Sequence, residues 1–384
     1  MANLSPDPNS GAAGTEYQTI AALREAGCSV DTVWRNELTH HISHANLYTL
    51  LELPIAYRNA MWRKLKEGSY DVVHVNQPHG YLAARSLAKL CPRSVFVHRS
   101  HGFEGRVRND MKPWISRYGT DARPSWRRAL SLVVESALEY NNVRIAQWAG
   151  GHIVSASECK SFLIERYGVH AEQIAVIPQA SPRAFLNRDV RAMKRERMRR
   201  ILYVGQFAFF KGPVVLVAAI ERVLRAVPEA TFTWICDQRH HESARALFRD
   251  KNVLQRVVLL DWMNQTELVE VYDSHGLFVF PSFFEGFGKA FLEAMARGLV
   301  VVAARNGGMR DIIEDGNTGF LVSTGDYGCL ADRCIRLLQQ PSDVERVSSR
   351  ARGAALRFSW ERVAAETLGF YDRLLRQRQN RSEP

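Results

Sequence analysis

Short runs of apolar, mostly β-branched residues recur along this chain, and longer stretches with helical spacing separate them. The runs are DVVHV (71–75), SVFVH (94–98), HIVSAS (152–157), IAVIP (174–178), ILYVG (201–205), TFTWIC (231–236), VVLL (257–260), LFVF (277–280) and VVVAA (300–304). Strands apolar on both faces are buried on both, and helical crossovers join such strands in parallel. The alternation therefore predicts an α/β protein whose parallel sheets are covered by helices. In TEYQTIAALREAG, Tyr17, Ile20 and Ala21 fall on one helical face and Gly27 ends the helix. The charged stretch NRDVRAMKRERMRR (187–200) interrupts the rhythm before a fresh strand. It reads as a basic linker between two doubly wound domains, 1–186 and 201–357.

At 384 residues the chain is long enough for two such cores, and 46% apolar with 24% charged residues is a globular composition. Its longest apolar runs fall well short of the ~18 residues that span a bilayer. The opening MANLSPDPNSGAAG is polar and turn-rich rather than a basic-then-apolar leader, so a cytoplasmic protein is expected. Six scattered cysteines form no CxxC pair and read as reduced thiols. The net charge of +11 gathers partly in 187–200 and in the tail YDRLLRQRQNRSEP. No recognition-helix, zinc-finger or RNA-binding signature accompanies it, so nucleic acid is not an expected partner, whereas peripheral contact with an anionic membrane is.

In doubly wound sheets ligands bind beyond the carboxyl ends of strands. Strand 201–205 ends in GQFAFFKG, where Gly205 permits a tight turn and Lys211 brings a cation. Strand 300–304 runs into RNGGMRD with Gly307 and Gly308. SVFVHRSHGFEGR delivers His101 after a strand, and SGAAGTE places Gly11 and Gly14 before a helix. In SFFEGFGKAFLEAMARGL (282–299), Glu285 sits beside Gly286 and Gly288, with Glu293 further into the helix. Backbone N–H groups at a helix start favour phosphate. A carboxylate only accepts hydrogen bonds, and sugar hydroxyls present paired donors. A nucleotide sugar would satisfy both needs, with Glu285 on a hexose, the N–H groups of 286–288 and Lys211 on the diphosphate, and Glu293 on the ribose. The other reading of the pair is a capping acid followed by a surface acid.

The stretch FPSFFEGFGKAFLEAMARGLVVVAARNGGMRDIIEDGNTGFLV resembles the signature region of the retaining family-four glycosyltransferases, whose glutamate pair is matched here by Glu285 and Glu293. AGTEYQTIAALREAGCSV, YDVVHVNQPHG, HRSHGFEGR and YVGQFAFFKG resemble further family segments, and FSWERVAAETLGFYDRLL resembles its closing helices. The resemblance implies the GT-B fold, two Rossmann-like domains facing across a cleft, with 358–384 crossing back to the first. It also implies transfer of a hexosyl group, with retention, from a nucleoside-diphosphate sugar to a carbohydrate or lipid-linked acceptor in cell-envelope or exopolysaccharide synthesis. His101, Lys211 and Glu285 would be catalytic. Gly14, Gly205, Gln206, Gly286, Phe287, Gly288, Lys289 and Glu293 would bind the donor. Neither a cofactor nor a metal is expected, since the chain contains no Asp-x-Asp.

Three positions depart from the family pattern. Gln206 stands where an arginine is usual, and IPQAS (177–181) carries Gln179 and Ala180 in place of Asn-Gly. Only MANLSPDPNS precedes the first glycine loop, so the first strand of the N-terminal domain is expected to be short or missing. Two alternatives share the fold: a nucleotide- or partner-binding member without turnover, and a nucleotide-sugar epimerase.

Overall fold

A computed structural model describes residues 1–8, 10–102, 104–119, 125–190 and 193–380. Residues 191 and 192 of the basic stretch and 381–384 of the basic tail lie outside them. The chain forms two compact units, one of Met1–Asn109, Thr120–Pro178 and Trp360–Pro384, the other of Asp110–Gly119 and Gln179–Ser359.

The first unit is built on four parallel strands in chain order, β1 (Val72–Asn76), β2 (Val95–Ser100), β3 (Gly151–Val154) and β4 (Ile174–Val176). Among the described residues no strand precedes β1. Instead the first residues run alongside it, with Asn76 N–H donating to the Met1 carbonyl (3.0 Å) and Ala2 N–H to Val33 (2.9 Å). A cavity of about 440 Å³ adjoins this edge, lined by Ile20, Leu23, Val30, Val73 and Tyr371 among others.

Helix α1 (Ala12–Glu25) turns a different face inward from the one its apolar spacing predicts. Thr15, Glu16, Thr19, Ala22 and Leu23 are buried, whereas Tyr17 is 47% exposed. The polar members of that face are tolerated because β2 meets them with matching groups (below). Helix α2 (Leu53–Glu67) covers the sheet with Leu53, Ala56, Tyr57, Ala60 and Met61.

The second unit has six parallel strands: β5 (Arg200–Val204), β6 (Thr231–Ile235), β7 (Val257–Leu260), β8 (Leu277–Phe280), β9 (Val300–Ala304) and β10 (Phe320–Val322). Their spatial order is β10-β9-β8-β5-β6-β7. All nine runs marked in the sequence are strands; β10, three residues long, was not among them. Helix α3 (Pro213–Ala226) follows β5 and α4 (Lys289–Ala296) follows β8. The last helix, α5 (Trp360–Asn380), returns to the first unit, where Gly151 is needed because a Cβ there would meet the Phe370 ring at 2.9 Å. Among the described residues no helix is long and apolar enough to cross a membrane.

The basic stretch is not a free tether. Arg197 is buried and donates from Nε to the His275 carbonyl (2.8 Å) and from an Nη to that of Arg297 (2.6 Å). Arg297, fully buried on the loop after α4, pairs with Asp273 through Nε (2.8 Å) and Nη2 (2.7 Å). It also donates to the carbonyls of Phe185 (3.1 Å), Arg188 (2.8 Å) and Asp189 (2.7 Å), pinning the start of the stretch to the second unit. Removing one partner of a buried pair strands the other charge. Arg297→Met is therefore expected to destabilise the second unit by about 3–5 kcal/mol in urea denaturation, with Arg297→Met/Asp273→Leu recovering part of the loss.

Candidate active site

The strand order reverses direction at β5 and β8, which are hydrogen-bonded neighbours with Ile201 opposite Leu277 and Leu202 opposite Phe278. The loops leaving such neighbours diverge to opposite faces of the sheet and leave a crevice at the strands' carboxyl ends. One loop carries Gly205, Gln206 and Lys211 and the other Ser282, Glu285 and Gly288, so topology alone brings the two sequence motifs together.

Lys211 Nζ lies 2.6 Å from Glu285 Oε1, and both side chains are largely buried. Ser282 Oγ donates to the same oxygen (2.7 Å). The Lys211 ammonium also sits 5.3 Å from the centroids of the Phe210 and Phe280 rings, an apolar surround with favourable ring faces. The loop is backed from below. Asn306 Nδ2 donates to the Ser282 carbonyl (2.8 Å), and Gly308 N–H to that of Phe287 (3.0 Å). Gly307, at φ +53°, lies so close to Glu285 that a Cβ would come within 2.8 Å of its backbone carbonyl oxygen. The glycine pair after β9 thus serves to seat the glutamate loop.

Gly288 takes φ +91° as the N-cap of α4, a conformation that suits glycine. Among the described residues the N–H groups of Gly286, Phe287, Gly288 and Lys289 make no hydrogen bond within the protein. Orphan donors at a helix start, next to a lysine, are an anion-binding arrangement. Further along α4, Glu293 accepts from the Tyr272 hydroxyl (3.2 Å). Burial raises the Glu293 pKa against the opposing effects of Lys289 and the Tyr272 hydrogen bond, and burial lowers that of Lys289. Gln206 is exposed, and Gly205 is confined by the Tyr203 ring beside it.

His101, in the first unit, is held by a residue that the sequence reading passed over. Its Nε2 lies 2.6 Å from Glu16 Oε1 on α1, and Arg99, wholly buried on β2, lies 3.9 Å from the same oxygen. Arg99 also donates to Thr19 Oγ1 (3.2 Å). Burial raises the Glu16 pKa, but the His101 hydrogen bond and the Arg99 charge outweigh it and hold the carboxyl well below the usual range. The carboxylate facing Nε2 favours a proton on that nitrogen. Gly14 lies inside the first turn of α1, where its N–H donates to Ser10 Oγ (3.2 Å) and a Cβ would come within 2.6 Å of the Pro8 carbonyl oxygen.

Residues 198–340 match the family described as glycosyl transferases group 1, and residues 10–180 match glycosyltransferase family 4. The chain is 31% identical over 233 residues to the D-inositol 3-phosphate glycosyltransferase of Corynebacterium efficiens, a match covering 57% of this chain and 55% of that protein. It is 26% identical over 314 residues to the MMP α-(1→4)-mannosyltransferase of Mycolicibacterium hassiacum, covering 81% and 72%. These matches make both units similar to segments of glycosyltransferases. The chain spans about half the length of the inositol phosphate relative. In fold it is similar to sucrose-phosphate synthase from Thermosynechococcus elongatus, with a TM-score of 0.73, 22% identity and 98% and 99% of the two chains covered. It is likewise similar to HepE of Anabaena, solved with UDP and glucose, at a TM-score of 0.66, 17% identity and 96% and 98% coverage. The two parallel α/β sheets described above are those of GT-B proteins.

The signal for Glu16 was present in the sequence as an acid on the inward face of α1. It was missed because apolar spacing chose the opposite face.

Proposed function

We propose that the chain is a retaining, metal-independent hexosyltransferase that uses a nucleoside-diphosphate sugar and delivers the sugar to a hydroxyl of a lipid-linked or polysaccharide acceptor at the cytoplasmic face of a membrane. The observation that carries this reading is the Lys211–Glu285 pair beside orphan N–H groups at the β5/β8 crevice. An anionic diphosphate suits Lys211 and the N–H groups of 286–289, and a ribose suits Glu293. Glu285 suits the sugar hydroxyls as acceptor. HepE, solved with UDP and glucose, and the mannosyltransferase relative lend the same direction.

In the proposed reaction the bond between the anomeric carbon and the diphosphate oxygen breaks as the acceptor oxygen approaches the same face. The departing oxygen takes the acceptor's proton, so the protein supplies charge stabilisation and placement rather than a base. Gln206 offers a hydrogen bond without charge where a cation would strengthen leaving-group stabilisation.

Thermal denaturation with UDP, GDP, ADP and CMP, with and without magnesium, tests the reading. A ligand of the native state at a hundredfold excess over its Kd stabilises by about 2.7 kcal/mol. One nucleoside diphosphate is expected to raise Tm by several degrees independently of magnesium, and Lys211→Met should abolish the shift. No shift with any nucleotide would overturn the donor assignment. A shift without product release in the presence of acceptors would favour a binding protein without turnover.

A further inference from the structure

A second apolar face lies on the helical run that covers the first unit. A short turn, Ala45–Leu47, and a π-helical stretch, Tyr48–Glu52, lead into α2. Their inward residues, Tyr48, Leu53, Ala56, Tyr57, Ala60 and Met61, belong to the core. The outward face of a surface helix is ordinarily polar. Here it carries Leu47, Leu51, Ile55 and Trp62, which are 47%, 59%, 42% and 42% exposed. Spacing of four residues drifts around an α-helix, but the wider π turn between 48 and 52 offsets that drift and keeps Leu47 and Leu51 in line with Ile55.

The charges along this run are sorted. Arg58 falls between Ile55 and Trp62 at helical spacing, and Lys66 follows Trp62 by one turn. Two acids lie between residues 45 and 67, and each already has a cationic or imidazole partner, Glu52 with His41 (2.8 Å) and Glu67 with Lys64 (2.8 Å). We propose that the Leu47–Leu51–Ile55–Trp62 face docks in the plane of an anionic lipid bilayer. Aliphatic side chains would enter the acyl boundary, Trp62 would sit at headgroup level, and Arg58 and Lys66 would extend along the apolar surface to lipid phosphates. Charge complementarity selects this occupant: the stripe is edged by cations with no unpaired acid, on a chain of net charge +11. The purpose of the contact rests on the lipid-linked acceptor reading above, since docking would bring the protein to an acceptor confined to the membrane.

The test is co-sedimentation of the full chain with phosphatidylcholine vesicles, alone or with about 30 mol% phosphatidylglycerol. The wild type is expected to pellet with the anionic vesicles and to be partly released by high salt. Leu51→Glu/Ile55→Glu should weaken that partitioning at least tenfold. Arg58→Gln/Lys66→Gln should weaken it on anionic vesicles while leaving any residual binding to neutral ones. Leu51, Ile55 and Lys66 are exposed and Arg58, half-buried, ends in an exposed guanidinium, so unchanged Tm and an unchanged nucleotide-induced shift are expected. That control separates failure of docking from failure of the donor site. Undiminished binding by Leu51→Glu/Ile55→Glu would overturn the proposal. So would a wild type that ignores both vesicles and self-associates through this face, measured by sedimentation velocity.

Discussion

Lys211→Met is expected to lower sugar transfer by about 10²–10³-fold, the usual size of losing one preorganised charge at a developing anion. The same substitution leaves Glu285, 6% exposed, beside Ser282 without its cation. Loss of activity could therefore follow from a displaced loop as readily as from a missing charge. Glu285→Gln keeps the shape and the Ser282 contact while removing the carboxylate, and the Lys211→Met/Glu285→Gln chain restores neutrality. If the pair acts on substrate as one unit, the double variant falls about as far as either single one, while its Tm recovers towards that of the wild type. Initial rates of nucleotide release with acceptor, read beside Tm, separate the two effects. Normal turnover by Glu285→Gln would sink the site.

Acid is expected to unfold this protein well above the pH at which carboxylates ordinarily take protons. Burial pushes His74 down to about 3 and His79, His152 and His275 down to about 4, while burial and its histidine neighbours hold His98 well below its usual value. An unfolded chain protonates the same rings near pH 6.5. Between pH 6.5 and about 4 the unfolded state thus binds more protons, and stability falls as pH falls, by up to about 1.4 kcal/mol per pH unit for each histidine. Glu16 extends the decline, because its contribution is present above the ordinary glutamate range and is lost below it. Four of these histidines belong to the first unit and His275 to the second, so the first unit should melt at the higher pH. Urea midpoints from pH 7.5 to 4.5, followed by amide exchange in each sheet, measure this. A flat profile would mean that the buried rings accept protons without unfolding.

The strands were readable because a strand buried on both faces has no polar alternation to confuse it, and a run such as LFVF has few other homes. β10 escaped because three residues, Phe320–Val322, leave no run to see. Lys211 and Glu285 stand out in the sequence because each sits beside a glycine between a strand end and a helix start, and Glu293 follows further into the same helix. The support beneath them could not. Arg297 looks like any loop arginine until Asp273 and three carbonyls from residues 185–189 are found around it, 24 or more residues away in sequence. Glu16 and Arg99 are separated by more than eighty positions, and neither makes sense inside a core without the other. Contacts of that range leave no local spacing to read, whereas loop chemistry does.

The ion pair at the β5/β8 crevice has a further consequence for what can occupy it. Because Lys211 and Glu285 already neutralise one another at 2.6 Å, the crevice presents a dipole rather than a net charge. A simple anion that drew Lys211 away would strand the carboxylate, and a simple polyol would have to compete with the ammonium for it. A molecule carrying negative charge at one end and hydroxyl donors at the other would satisfy both partners as they separate. The pair acts as a conjunction: phosphate reaches Lys211 and hydroxyls reach Glu285, so a ligand that joins the two is expected to engage it more fully than either half alone.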